Sequence, residues 1–422
     1  MTRRPPTAVD HFDALSAVVD LVRSGRARTR PELGAVSMLG RTVISQRVDQ
    51  AIDLGLLEDA ETGPSSGGRP SRQLRFNAGC GLVLTAVLGA AALDVAVTDL
   101  DARVQEHRHV EWSIARGPEE TLAALDGHFA ELLAGRSDVP LWAVTVGVPG
   151  PVEFSTGRPS QPPIMPGWDG FDIRGRLQQR YRVPVWVDND ANLLALGEAR
   201  AAGAADEDMI FVKVGTGIGA GIVNEGRIRR GSKGAAGDIG HARVLEDNQV
   251  MCRCGRTGCL EALAGGWALA RDAVTAVHEG RSRYLADVHR EHGEITPADI
   301  GRGVTLGDAW CMTAVARSAE RIGSVMATLV NFYNPACLVF GGGALTVGEP
   351  FLRVIEHAVR SRSLPLAASG LVIRGSGLGE LGGVVGGAHL AVEALLSADA
   401  MAAWTPQGSP AGVEPGRLLV GV

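Results

Sequence analysis

No stretch of this 422-residue chain approaches the ~18 consecutive apolar residues that a membrane span requires, and the opening MTRRPPTAVDHF lacks the apolar segment of a secretory signal. A cytoplasmic chain with no membrane partner is the expectation. Lysine is almost missing: Lys213 and Lys233 are the only two, so arginine carries nearly all the basic charge. Base composition of the coding DNA accounts for that as readily as function does. Of six cysteines, Cys80, Cys311 and Cys337 are scattered among apolar neighbours, which argues against a disulfide framework and for a reducing compartment. No segment repeats with a period of 20 to 50 residues. What is present, 45% apolar and 21% charged residues, is ordinary for a globular chain with a large core and excludes a disordered or fibrous one. The length suggests two or three domains.

A net charge of −6 argues against the whole protein binding a polyanion, but the charge is uneven. Residues 1–75 hold eleven arginines against nine acids, a mildly basic head on an acidic body. The head reads as helices. FDALSAVVDLVRSG has apolar residues at helical spacing and a glycine stop, and Thr29 three residues before Glu32 forms a capping box. After a turn at 38–40, RTVISQRVDQAIDLGLL puts Ile44, Val48, Ile52 and Leu56 on one face, leaving Arg41, Thr42, Ser45, Gln46 and Asp49 outward. That order predicts a helix-turn-helix whose second helix enters the major groove, or else a generic helical bundle. A Gly/Ser/Pro loop and the strand RQLRF then complete a winged helix. Arg69 and Arg72, in the extended GGRPSR, are placed to follow a phosphate backbone or enter a narrow minor groove, unless the segment is only a linker.

The densest cluster of chemistry is GHARVLEDNQVMCRCGRTGCLE. Cys252, Cys254 and Cys259, with His241 upstream, are the number and type of ligands that tetrahedral Zn²⁺ takes, and Gly255 and Gly258 let the loop fold around one ion. The plainer alternative, three reduced thiols crowded in a polar loop, leaves them open to oxidation. From residue 80 onward, β-rich runs such as CGLVLTAVLG, WAVTVGVPGPV, VPVWVDNDAN and ACLVFGGGA end in glycine turns with helical stretches between them, an α/β pattern. Thr313 to Tyr333 reads as one long helix. VGTGIGAGIV sets four glycines within 215–221 after a strand, where backbone N–H groups could cradle phosphate.

Taken in order, GVPGPV, DNDANLLALGEAR, VGTGIGAGIV, GAAGDIGH, CRCGRTGCLE and VFGGGAL make the chain resemble the ROK family of repressors, open reading frames and kinases over essentially its whole length. The resemblance implies an actin-like, two-lobed sugar-kinase body at 80–400, with a smaller lobe at about 80–190 and a larger one at about 191–385. It also implies a winged helix-turn-helix head at 1–76, while 401–422 reads as a flexible tail. By the same resemblance Asp190 matches the kinases' general base, a carboxylate that takes a proton from the attacking sugar hydroxyl. Gly150, Asn189, Asp238, His241 and Glu261 match positions around the sugar, and His241 with the three cysteines matches a structural zinc site, one ion per chain. Gly215, Thr216, Gly217, Gly219 and Gly342 match nucleotide loops.

The departures from the family pattern carry the functional expectation. The kinases' Asp-x-Gly-Gly-Thr turn, which positions the metal-bound phosphates, is VLGAA here: Val87 replaces the carboxylate, and Ala90 and Ala91 replace the Gly-Thr pair. Phosphoryl transfer depends on positioning and charge neutralisation, so most activity should be gone. Ile164 stands for the sugar-binding Asn of Asn-Leu-Pro-Gly-Trp, and Asp238 for a Glu. The expected protein is a sugar-responsive transcriptional regulator, a repressor that binds operator DNA as a homodimer or tetramer and is not an enzyme. Its rivals are an active ATP-dependent sugar kinase with a DNA-binding head and a zinc-stabilised DNA-binding protein that senses nothing.

Overall fold

In the computed structural model, residues 8–60, 72–203, 207–245, 249–343, 348–413 and 418 are described. The head comprises helices Ala8–Arg23, Arg30–Ser37 and Arg41–Asp53, followed by the antiparallel hairpin Leu57–Ala60 and Gln73–Phe76. Thr29 caps the second helix by accepting from the Glu32 amide at 3.3 Å. The expected capping box closes differently, because the Glu32 carboxylate accepts from the Arg28 amide at 2.7 Å, one residue before the cap. Ile44, Val48 and Leu56 are buried as their spacing predicts, and Ile52 packs half-buried against them.

The body is built on two five-stranded sheets. The first runs Val104–Glu111, Ala92–Thr98, Leu82–Leu88, Leu141–Val148, Val185–Asn189, and the second Arg227–Ile228, Ile218–Asn224, Met209–Val214, Cys337–Gly341, Val372–Gly375. Numbered by appearance within its own half, each sheet has the order 3-2-1-4-5, antiparallel across the first three strands and parallel across the last three. This is an actin-like, two-lobed body behind a winged helix-turn-helix. The inner strands are buried and mostly apolar, as strands covered on both faces tend to be, with Thr85, Thr145 and Lys213 as polar exceptions.

The helix after each fifth strand leaves its own sheet for the other. Asp190–Ala201 follows the first sheet and packs on the second, whereas Leu381–Leu395 follows the second and packs on Leu82–Leu88 and Leu141–Val148 of the first. The lobe boundary expected near 385 is thereby corrected: the second lobe's strands end at Gly375, and the closing helix belongs by packing to the first. The two helices cross at near-contact distance. A Cβ on Gly386 would lie 1.8 Å from the Leu193 carbonyl oxygen, so no larger residue fits without moving backbone.

The loose tail expected at 401–422 is also corrected for its described residues. Ala398–Trp404 is a helix capped by Ser397, and Trp404 is fully buried, its ring 5.4 Å from Trp142 and its Nε1 donating to the Leu395 carbonyl at 2.8 Å. This helix is the seat of the head. Leu15, Val18 and Val19 of the first head helix share one core with Met401 and Trp404, and Ser16 Oγ donates to the Leu396 carbonyl at 2.6 Å. Full burial of one such aliphatic side chain contributes ~1.5–3 kcal/mol, so the head is docked on the body by packing as well as by sequence connection. Among the described residues no single helix is long and apolar enough to cross a membrane.

Candidate functional site

The carboxyl ends of the parallel strands from both sheets open into one cleft of about 730 Å³, the place where open α/β sheets take ligands. It brings together Gly150, Asn189, Asp190, Asp238, His241 and Glu261 with Gly215, Thr216, Gly217, Gly219 and Gly342.

Asp190 is the first residue of its helix and only 3% exposed. Asn189 caps that helix, its Oδ1 accepting from the Ala191 amide at 2.9 Å while its Nδ2 donates to the Gly150 carbonyl at 3.0 Å. Asn189 and Gly150 thus position Asp190 by hydrogen bonds to each other. The Asp190 carboxylate is held in an ion pair by Lys213 Nζ, which reaches across from the first strand of the second sheet. Two residues earlier, near the end of the strand, buried Asp188 accepts from Arg230 Nε and Asn192 Nδ2, both at 2.8 Å, and the Arg230 guanidinium lies 3.7 Å from the Phe154 ring centre. Sequence reasoning did not single out Lys213 or Arg230. For Lys213 a signal existed: one of two lysines in the chain stands two residues before the glycine loop.

The loop at 215–221 is tied down by its own polar groups. Gly215 donates to the Gly217 carbonyl at 2.9 Å, and the carbonyls of Gly215 and Thr216 accept from Gly266 and Trp267 at 2.9 and 3.0 Å. The Ile218 amide donates to Glu261 Oε2 at 3.0 Å, so this carboxylate braces the loop while lining the cleft. Val87, Ala90, Ala91, Pro163 and Ile164 give the cleft an apolar patch, beside which Asp94, His109 and Glu380 also line it.

Asp238 lies exposed at the cleft, and its Oδ1 is 3.9 Å from His241 Nε2. The other ring nitrogen of His241, Nδ1, lies 3.6 Å from Cys252 Sγ, and Cys254 Sγ lies 3.7 Å from Cys259 Sγ. A tetrahedral ion with Zn–S ~2.3 Å and Zn–N ~2.0 Å sets neighbouring ligand atoms ~3.6–3.8 Å apart. The four side chains therefore fit zinc in separation as well as in type. Burial pushes the Cys252 thiol up to about 12, so at neutral pH a cation must displace its proton. Leu260–Ala264 begins directly after Cys259 and carries Glu261, and the Leu260 amide donates to the Ala242 carbonyl at 2.9 Å. The cluster thus joins the Asp238–His241 turn to the brace of the glycine loop.

On the head, Arg41, Thr42, Ser45 and Gln46 are all exposed on the first turns of Arg41–Asp53. Asp49 is drawn away toward Arg30, with which it pairs at 2.7 Å. Arg72 is exposed and pairs with Asp59 at 3.2 Å across the hairpin, whereas Arg69 and the GGRPS segment lie outside the described residues.

The cleft and fold define a sugar-kinase-like body carrying a winged helix-turn-helix. The sequence profile of the ROK family matches residues 84–394, and the chain belongs to that family. Among curated relatives, the glucokinase of Halalkalibacterium halodurans is 34% identical over 66% of this chain and 87% of its own length. The xylose repressor of Caldicellulosiruptor bescii is 28% identical over 90% of this chain and 95% of its own. Among solved structures, a ROK family transcriptional regulator described as a homologue of E. coli MLC superposes with a TM-score of 0.80 at 22% identity, covering 94% of this chain and all of that one.

Proposed function

We propose that this chain is a sugar-responsive DNA-binding repressor, acting as a homodimer in the cytoplasm, whose kinase-like body senses a ligand and does not phosphorylate it. One observation carries the reading: Lys213 holds the carboxylate that a sugar kinase would leave free to take the hydroxyl proton. A base contributes typically ~10²- to 10⁴-fold, and only when the phosphoryl group is held in line beside it. Val87, Ala90 and Ala91 themselves carry neither the carboxylate nor the hydroxyl that the kinases' turn has at these places. A structural zinc ion on His241, Cys252, Cys254 and Cys259 would hold the turn and helix that flank the cleft.

The route from cleft to head supports a sensing role. Glu380 and Gly383, at the start of the closing helix, line the cleft. Further along, His389 Nδ1 accepts from Arg23 of the head at 3.3 Å, and the Leu396 carbonyl just past its end accepts from Ser16. A ligand shifts the head only by its different affinity for two arrangements of these elements. The competing reading, an active kinase with a DNA-binding head, draws on the retention of Asp190 beside the glycine loops and on the glucokinase relative. A coupled assay of ATP turnover over a panel of hexoses, pentoses and amino sugars separates the two. The expected result is no measurable phosphorylation, with one or more sugars raising the melting temperature and altering operator binding; ATP-dependent phosphorylation that vanishes in Asp190→Asn restores the kinase.

A further inference from the structure

A second cluster of metal-ligating side chains, separate from the thiols, lines the cleft on the edge of the first sheet. In the first sheet Val87 is the cross-strand partner of Asp94, and Asp94 of His109, so all three side chains stand in one row on one face. Glu380 comes to this row from the segment between the second sheet and the closing helix, and one ligand atom each from Asp94, His109 and Glu380 lie within 4.8 Å of one another. All three line the cleft.

We infer that Asp94, His109 and Glu380 form a binding site for a borderline divalent cation such as Mn²⁺, Co²⁺, Ni²⁺ or Zn²⁺. One imidazole and two carboxylates are a mixed nitrogen and oxygen set of the kind transition metals take, whereas Mg²⁺ favours oxygen alone. Asp94 Oδ1 and His109 Nδ1 are 2.9 Å apart. Metal–ligand bonds of ~2.1 Å at right angles place adjacent ligand atoms ~3.0 Å apart, so little rearrangement is needed. Asp94 is already held for the purpose: His107, two residues before His109 on the same face, lies with Nε2 3.0 Å from the same Asp94 oxygen. The charges acting on His109 are all negative, from Asp94, Glu380 and Glu111, while Arg108 turns away to pair with Glu106 and Glu131. The contact of His109 Nδ1 with the Asp94 carboxylate holds the ring in this row. On binding, His109 Nδ1 would donate its lone pair to the cation, any proton it carries passing to solvent. Three protein ligands leave coordination positions open toward the cleft, where an oxygen of a bound molecule can complete the shell.

The test uses the full-length protein with its thiol-site zinc content measured by elemental analysis, titrated with MnCl₂ and followed by the electron paramagnetic resonance of free Mn²⁺. One equivalent should bind beyond the zinc. Asp94→Asn and His109→Ala should abolish it without changing zinc content, and His107→Ala should weaken it ~10- to 100-fold, the usual effect of removing a group that orients a ligand. Glu380 is exposed and off the sheet, so Glu380→Gln leaves the fold alone and should weaken Mn²⁺ at least ~10-fold. No second equivalent, or one that survives equally in Glu380→Gln and His109→Ala, overturns the site.

Discussion

Gly89 and Gly215 open the same turn in the two halves of the body, between the first and second strands of sheets with one topology. Two residues earlier, at matching places, stand Val87 and Lys213. In each half the residue at this place meets the helix that crosses from the other half: Val87 packs against Gly383, and Lys213 pairs with Asp190. One crossing is apolar and close, the other an ion pair. The turns differ accordingly, Gly-Ala-Ala in the first half and Gly-Thr-Gly in the second. Persistence of a glycine motif therefore does not by itself mean that phosphate is bound. The 215–221 loop keeps its glycines where its backbone is bonded to Glu261, Gly266 and Trp267, which structural packing alone requires.

Breaking the cluster of His241 and the three cysteines should separate the halves most. Cys254→Ser would remove one of the four proposed zinc ligands, and since the binding of a structural ion is folding free energy, the expected loss is several kcal/mol of an ordinary total of ~5–15. Because the cluster braces only the second half's loop, hydrogen exchange should show Met209–Val214 losing protection while Leu82–Leu88 keeps it. Equal loss in both strands, or undiminished zinc, contradicts this. The Lys213–Asp190 pair comes next. Lys213→Met leaves a carboxylate that is 3% exposed without its cation, and partial access of solvent to Lys213 holds the expected cost to ~2–4 kcal/mol by urea unfolding at pH 7. Removing both charges in Lys213→Met/Asp190→Asn should cost less than the first change alone. Additive losses would show that the two side chains do not depend on each other.

The head, the thiol cluster and the glycine motifs were legible because each is local: helical period, ligand type and turn chemistry operate within a few residues. The twofold likeness of the halves was not, since its spacing far exceeds 20 to 50 residues and Leu82–Leu88 shares little with Met209–Val214 beyond being apolar. A sheet order is set by which strands pair, and many apolar sequences satisfy the same ladder. The helix Leu381–Leu395 hid its place for a related reason: it is buried on nearly all sides, and its short polar edge, His389 and Glu393, does not say which sheet the rest faces. Trp404 lay in a segment that reads as a tail until the distant Trp142 and the head supply its surroundings. Lys213 was visible as an oddity of composition, but only the fold brings it to Asp190.

The smallest effect tests where the likeness of the two crossing helices ends, since Leu381–Leu395 also carries His389 to the head. Burial first, then the charges of Arg23 and Arg200, lower the His389 pKa to about 3, against ~6.5 for an unfolded chain. The folded state therefore holds a neutral ring that accepts from Arg23, and the unfolded state binds the extra proton. The contribution of this site to stability is complete above pH ~6.5 and declines as the pH falls toward 3, by up to ~1.4 kcal/mol per unit. Asp101, 3.9 Å from Arg23, has its pKa raised by burial and works in the opposite sense, gaining stability from protonation, but from the carboxylate range upward. Between pH 7 and 5.5 the histidine should dominate, lowering stability by about 1 kcal/mol. His389→Asn keeps an acceptor for Arg23 and cannot titrate, so its unfolding free energy should be flatter over this interval than that of the unaltered chain. Identical slopes for the two proteins would mean that His389 is solvated or already charged, and that the head's contact with the crossing helix is looser than its geometry indicates.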